Sequence, residues 1–116
     1  MSRSASSDLG LSVGTFKGDR QTFMYFGGQV DKSNIDRFRT RLFQAIRQGG
    51  DEIVVDLAHV EFITSAGLAA LIEGARLQRA MDGSLLLRSL RPQPQHLLDL
   101  TGLADLFEPF PATSTA

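Results

Sequence analysis

The sequence predicts an α/β fold: a mixed β-sheet of about four strands flanked by helices, in the order β-β-α-β-α-β-α. Three observations carry this. Two stretches repeat apolar residues at helical spacing: Ile35, Phe38, Leu42, Ala45 and Ile46, then Leu68, Leu71, Ile72 and Ala75. Two short, nearly continuous apolar runs, IVVDL at 53–57 and SLLLRS at 84–89, alternate with those helices, as buried parallel strands do. Ahead of both lies an aromatic-rich run, TFMYF at 22–26, behind a Lys17-Gly18-Asp19-Arg20 turn signal.

Taken in order, Leu9, Leu11 and Val13 alternate with small or polar residues, which predicts an edge strand hairpinned to 22–26. Gly27 and Gly28 break the regularity, and Gln29-Val30-Asp31 leads out of the strand. Ser33 is placed to open the first helix, with Asp36 three residues on as an acidic variant of the capping box. Gly49-Gly50 stops the helix. Arg37, Arg39, Arg41 and Arg47 lie largely off its apolar stripe, either as a solvated face or as an anion-binding one. In the 53–57 strand Asp56 reads as a carboxylate that bonds the following loop. In that loop, 58–63, Val60 and Phe62 are expected in the core.

The stretch FITSAGLAALIEGARLQRAM, 62–81, organises the chain. Thr64 and Ser65 stand at the start of its helix, and either hydroxyl suits the N-cap. Gly67 in the first turn gives up roughly 1 kcal/mol of helix propensity relative to Ala. A glycine there implies that another backbone or a partner comes close. Asp82-Gly83 ends the helix, Gly83 being suited to the left-handed position. Beyond 84–89, Arg91-Pro92-Gln93-Pro94 reads as a loop and helix start, followed by a short helix to Thr101 capped by Gly102. Leu103, Leu106, Phe107 and Phe110 offer a last apolar turn.

At 116 residues and 42% hydrophobic, the chain fits one domain, 9–110, between polar tails at 1–8 and 111–116 that read as disordered. A net charge of −1, with no basic stripe, argues against nucleic acid. No apolar run approaches the ~20 residues that span a bilayer. The first residues lack the apolar segment of a secretory signal. The absence of cysteine removes disulfides, thiolate zinc sites and thiol catalysis, and fits a reducing cytoplasm. His59 and His96 have no ligand-spaced partners, so no metal and no cofactor is expected. No phosphate loop, no GxGxxG and no GxSxG elbow is present, and the chain reads as a non-enzyme. What survives is a hydroxyl at a helix mouth. A phosphate on Ser65 would add about −1.5 to −2 charges where the helix end tolerates an anion. A partner packed there would be blocked.

The stretch from IVVDL through FITSAGL to LLDLTGLADLF, with GGQVDKSNIDRFRTRLFQAI upstream, resembles the STAS domain of bacterial anti-sigma factor antagonists over residues 23–109. The resemblance implies a fold of mixed sheet and flanking helices. It also implies a partner that is both anti-sigma factor and serine kinase, which phosphorylates Ser65, and a PP2C-type phosphatase that resets it. By position it places Asp31, Thr64, Ser65, Ala66, Gly67 and Leu68 at the partner surface. The family's turn reads D-S-S-G-L; here Thr64 stands for the Asp and Ala66 for the second Ser. A carboxylate is thereby lost beside the acceptor, and Thr64 becomes an alternative acceptor. Some small STAS proteins are instead structural subunits of a phospholipid-transport ABC machine, or scaffolds of stress-sensing assemblies. The run AGLAAL is similar to the former. Exposed Phe or Leu on a sheet edge would support a homodimer.

Overall fold

The computed structural model describes residues 10–109. The leading and trailing tails, Leu9 and Phe110 lie outside that range. The hairpin forms as its sequence requires: β1 (Leu11–Lys17) runs antiparallel to β2 (Gln21–Val30) in unbroken register from Leu11↔Gly28 to Lys17↔Thr22. Gly18 N donates to Gln21 O at 2.7 Å to close the turn. Then follow α1 (Ile35–Arg47), β3 (Glu52–Ile63), α2 (Ser65–Ala80), β4 (Ser84–Arg88) and α3 (Pro92–Thr101). The order matches the expected one, and a two-residue β5 (Glu108–Pro109) adds to the four strands foreseen. The sheet order is β1-β2-β3-β4-β5, with β2 through β5 parallel.

Alternation along the strands turns Met24, Phe26, Ile53, Val55, Leu57, Leu85 and Leu87 into one core. Against it α1 presents Phe38, Leu42 and Ile46, and α2 presents Leu68, Leu71 and Ala75. Phe26 and Phe38 meet with ring centroids 4.7 Å apart in a tilted pair. Glycine lets the helices approach: a Cβ on Gly74 would stand 3.1 Å from Ile46 Cδ1 and 3.3 Å from Leu42 Cδ2. The opposite face of the hairpin carries Phe16, Phe23 and Tyr25, with successive centroids 6.4 and 6.5 Å apart.

Several local expectations are corrected. The strand over 53–57 continues to Ile63, because the long β2 offers it partners as far as Val30↔Ile63. Register shifts at Gly27 and Gly28 keep Val60 and Ile63 inward. Phe62 therefore points out and is 41% exposed rather than in the core. The residue that opens α1 is Asn34, not Ser33, whose hydroxyl is engaged elsewhere. After α2 the left-handed residue is Asp82 (φ 64°). Gly83 is needed for a different reason: a Cβ there would lie 2.8 Å from Asp51 O and 2.7 Å from the side chain of buried Gln78.

The two interior glycines of α2 should respond differently to alanine. At Gly67 a Cβ would lie 2.8 Å from Val30 Cγ1 and 2.6 Å from Ile63 Cγ1, both β-branched and buried. Gly67→Ala should destabilise by about 1–3 kcal/mol despite its better propensity. Gly74→Ala meets the flexible end of Ile46 and should stay within about 1 kcal/mol of wild type. Urea unfolding of both variants checks this, and equal midpoints would contradict it.

Candidate functional site

The carboxyl ends of β2 and β3 lie side by side, and one hydrogen bond joins them past their last residues: Thr64 N donates to Val30 O at 2.9 Å. The chain leaves β2 at Asp31 and enters α2 at Ser65, one residue beyond each end of that bond. Two connections are thus brought to one rim of the sheet, where binding sites of parallel α/β sheets commonly form.

Thr64 is the N-cap. Its backbone is extended (φ −79°, ψ 168°), its Oγ1 accepts from Gly67 N at 3.2 Å, and its carbonyl accepts from Leu68 N at 3.0 Å. Ser65 is the first residue of the helix. It is exposed, and its hydroxyl makes no hydrogen bond among the described residues. Of the two hydroxyls that suited the cap, one holds the helix and the other faces solvent. Ala66 is exposed beside it, whereas Gly67 and Leu68 are buried. These last two shape the rim from beneath and do not form its surface.

Asp31 is locked rather than free. Ser33 donates to its Oδ1 twice, through Oγ at 2.6 Å and N at 3.0 Å, as in an Asx turn. Asn34 staples the same turn: its Oδ1 accepts from Asp31 N at 2.9 Å and its Nδ2 donates to Gln29 O at 2.8 Å. The hydroxyl of Ser33 first, then its backbone N–H, hold the Asp31 carboxyl below the ordinary value of 3.8. A fixed negative charge therefore stands on the rim at neutral pH.

Sequence reasoning missed Gln93. β4 pairs with β3 only as far as Asp56↔Arg88, so Ile63 faces no strand on that side. The side chain of Gln93 replaces one: Ile63 N donates to Oε1 at 2.9 Å, and Nε2 donates to Ile63 O at 3.0 Å. The start of α3 is thereby tied to the residue before Thr64. Nothing local in RPQPQ signals this pairing. Asp56 was expected to bond a loop, but residues 58–63 belong to β3; its carboxylate accepts from Ala58 N of the same strand at 2.8 Å and pairs with Arg88 Nε at 3.2 Å. Its carboxylate sits within β3 and away from the rim.

Among the described residues no group of three or more His, Cys, Asp or Glu side chains could hold a metal ion. Among the described residues no helix is long and apolar enough to cross a membrane.

A family model described as STAS domain matches residues 16–116. The chain belongs to the STAS domain family. A similar protein from Bordetella bronchiseptica, named putative anti-sigma factor antagonist BtrV, is 28% identical over 80 residues, 69% of each chain. Two solved structures of SpoIIAA share the STAS fold. The anti-sigma factor antagonist SpoIIAA in its unphosphorylated form gives a TM-score of 0.73 at 19% identity, covering 86% of this chain and 89% of the other. The Bacillus cell fate determinant SpoIIAA in the phosphorylated form gives 0.68 at 18% identity, covering 86% and 92%.

The lowered carboxyl of Asp31 gives a pH test of the STAS rim. A depressed folded value adds stability above the unfolded one and loses it as pH falls through the folded one. Ser33→Ala should return Asp31 toward 3.8, seen by carboxyl NMR titration. The variant should be less stable than wild type above about pH 4, with the difference vanishing in more acid solution. An unchanged Asp31 titration would contradict the geometry.

Proposed function

We propose that this chain is an anti-sigma factor antagonist, controlled by phosphorylation of Ser65. It binds an anti-sigma factor that is also a serine kinase, and so frees a sigma factor. The kinase transfers a phosphoryl group from ATP to Ser65 Oγ, which gives up its proton, and a PP2C-type phosphatase hydrolyses the ester again. Such a cycle runs in the bacterial cytoplasm. The names of the relatives support the class of function. The observation that carries the switch is the exposed, unbonded hydroxyl of Ser65 next to a threonine whose hydroxyl is engaged.

Physical chemistry favours Ser65 over Thr64 as the acceptor. Modifying Thr64 would break the cap on Gly67, and loss of an N-cap costs typically about 1 kcal/mol. A phosphate on Ser65 instead meets the positive end of α2 and leaves the helix intact. For a partner the balance is reversed. A group of about −1.5 to −2 charges between Asp31 and Ala66 takes up volume, and burying it without counter-charges is unfavourable. The modification is mild for the fold and disruptive for an interface.

The test is a pull-down from lysate of the source cells with wild type, Ser65→Ala and Ser65→Asp as baits and identification by mass spectrometry. A kinase-type ATPase should be held by Ser65→Ala and weakened at least tenfold, about 1.4 kcal/mol, by Ser65→Asp. A transporter ATPase retained equally by all three baits would overturn the switch and make the chain a structural subunit.

A further inference from the structure

The arginines of α1 divide into two groups. Arg39 bonds Glu73 of α2 at 2.9 Å and lies 5.0 Å from the ring centroid of Phe43. Arg37 and Arg41 stand on another side, one turn apart, in line with Gln44 and Gln48. Arg41, Gln44 and Gln48, with Thr15 of β1 and Ala45, line a cavity of about 300 Å³ between the helix and the edge strand. Arg37 Nε is buried with no hydrogen-bond partner, and neither arginine makes an ion pair among the described residues. An unsatisfied buried guanidinium N–H beside a second unpaired guanidinium is unfavourable without an acceptor.

Across this cavity from Arg41 lies β1, the last strand on its side of the sheet among the described residues. Edge strands are usually blunted by inward charges, prolines or bulges. Here LSVGTF carries none of these, and the register with β2 is unbroken. Lys17 closes the strand. On the opposite sheet face β1 shows Phe16, 62% exposed, continued by Phe23 and Tyr25 on β2.

We infer that the β1 edge and the Arg37–Arg41 row together accept an extended peptide whose side chains alternate acidic and apolar. Backbone pairing to β1 supplies affinity, as in other strand additions. Because side chains alternate across a strand, one set meets the guanidiniums and the other extends the aromatic face of Phe16. The charge pattern argues against a second copy as the occupant: two β1 edges paired about a two-fold axis normal to the sheet would bring two arginine rows together across the seam. This surface lies along a sheet edge formed by β1, distinct from the rim formed at the ends of β2 and β3.

The test uses the full chain and three fluorescein-labelled nine-residue peptides: alternating aspartate and valine, alternating lysine and valine, and the aspartates and valines in two blocks. Anisotropy titration at low salt should show the aspartate–valine alternation binding at least tenfold tighter than either control. Amide shifts should move along residues 11–17. The double variant Arg37→Glu, Arg41→Glu should abolish the preference, and the milder Arg41→Gln should weaken it while circular dichroism stays unchanged. Equal affinity for the three peptides, binding to none, shifts confined to residues 64–68, or a dimer in sedimentation would each overturn the inference.

Discussion

The lateral bond between Thr64 N and Val30 O holds the candidate site together. It extends the β2–β3 pairing by one step beyond Ile63 and fixes where both chains turn away. Packing reinforces it from below. α2 can sit directly on Val30 and Ile63 only because residue 67 has no side chain. A helix that started elsewhere would not bring Ser65 beside Asp31. The rim therefore depends on backbone geometry and one glycine more than on any charged pair.

Around that seam each polar group has one task. Thr64 caps the helix, Ser33 and Asn34 fasten Asp31, and Gln93 supplies the missing ladder partner of Ile63. The hydroxyl of Ser65 lies among these engaged neighbours with no such duty. Rigid surroundings with one free nucleophilic oxygen suit a site read by a partner, since the surface is preformed and one modification changes its charge. The fixed carboxylate of Asp31 keeps one negative group on the rim, where Thr64 and Ser65 carry no charge of their own.

Legibility in the sequence followed periodicity and ran out where contacts are non-local. The apolar stripe of α1 and the IVVDL run were readable because each is written within a few residues. Gly67 was readable as a close approach, though the neighbours proved to be Val30 and Ile63 of the same chain. The length of β3 was not readable, since its second half is a strand only by virtue of β2, and Phe62 was misplaced with it. Asn34 competed with Ser33 for the cap, and the choice rests on which side chain the Asp31 turn recruits. Gln93 acts across 30 residues of sequence with no local pattern to announce it. Of the candidate residues, Asp31, Thr64, Ser65 and Ala66 meet on one rim, while Gly67 and Leu68 serve it from the interior.

The most direct measurement is on the chain carrying phosphoserine at position 65, compared with the unmodified chain by melting temperature and by amide chemical shifts. Melting temperatures should agree within about 4 °C, since roughly 1 kcal/mol or less separates the two folds. Shift changes should be confined to residues 30–34, 63–68 and 91–94. A larger loss of stability, or shifts spread through β1 and β4, would contradict an account in which the modification alters the surface and leaves the fold alone.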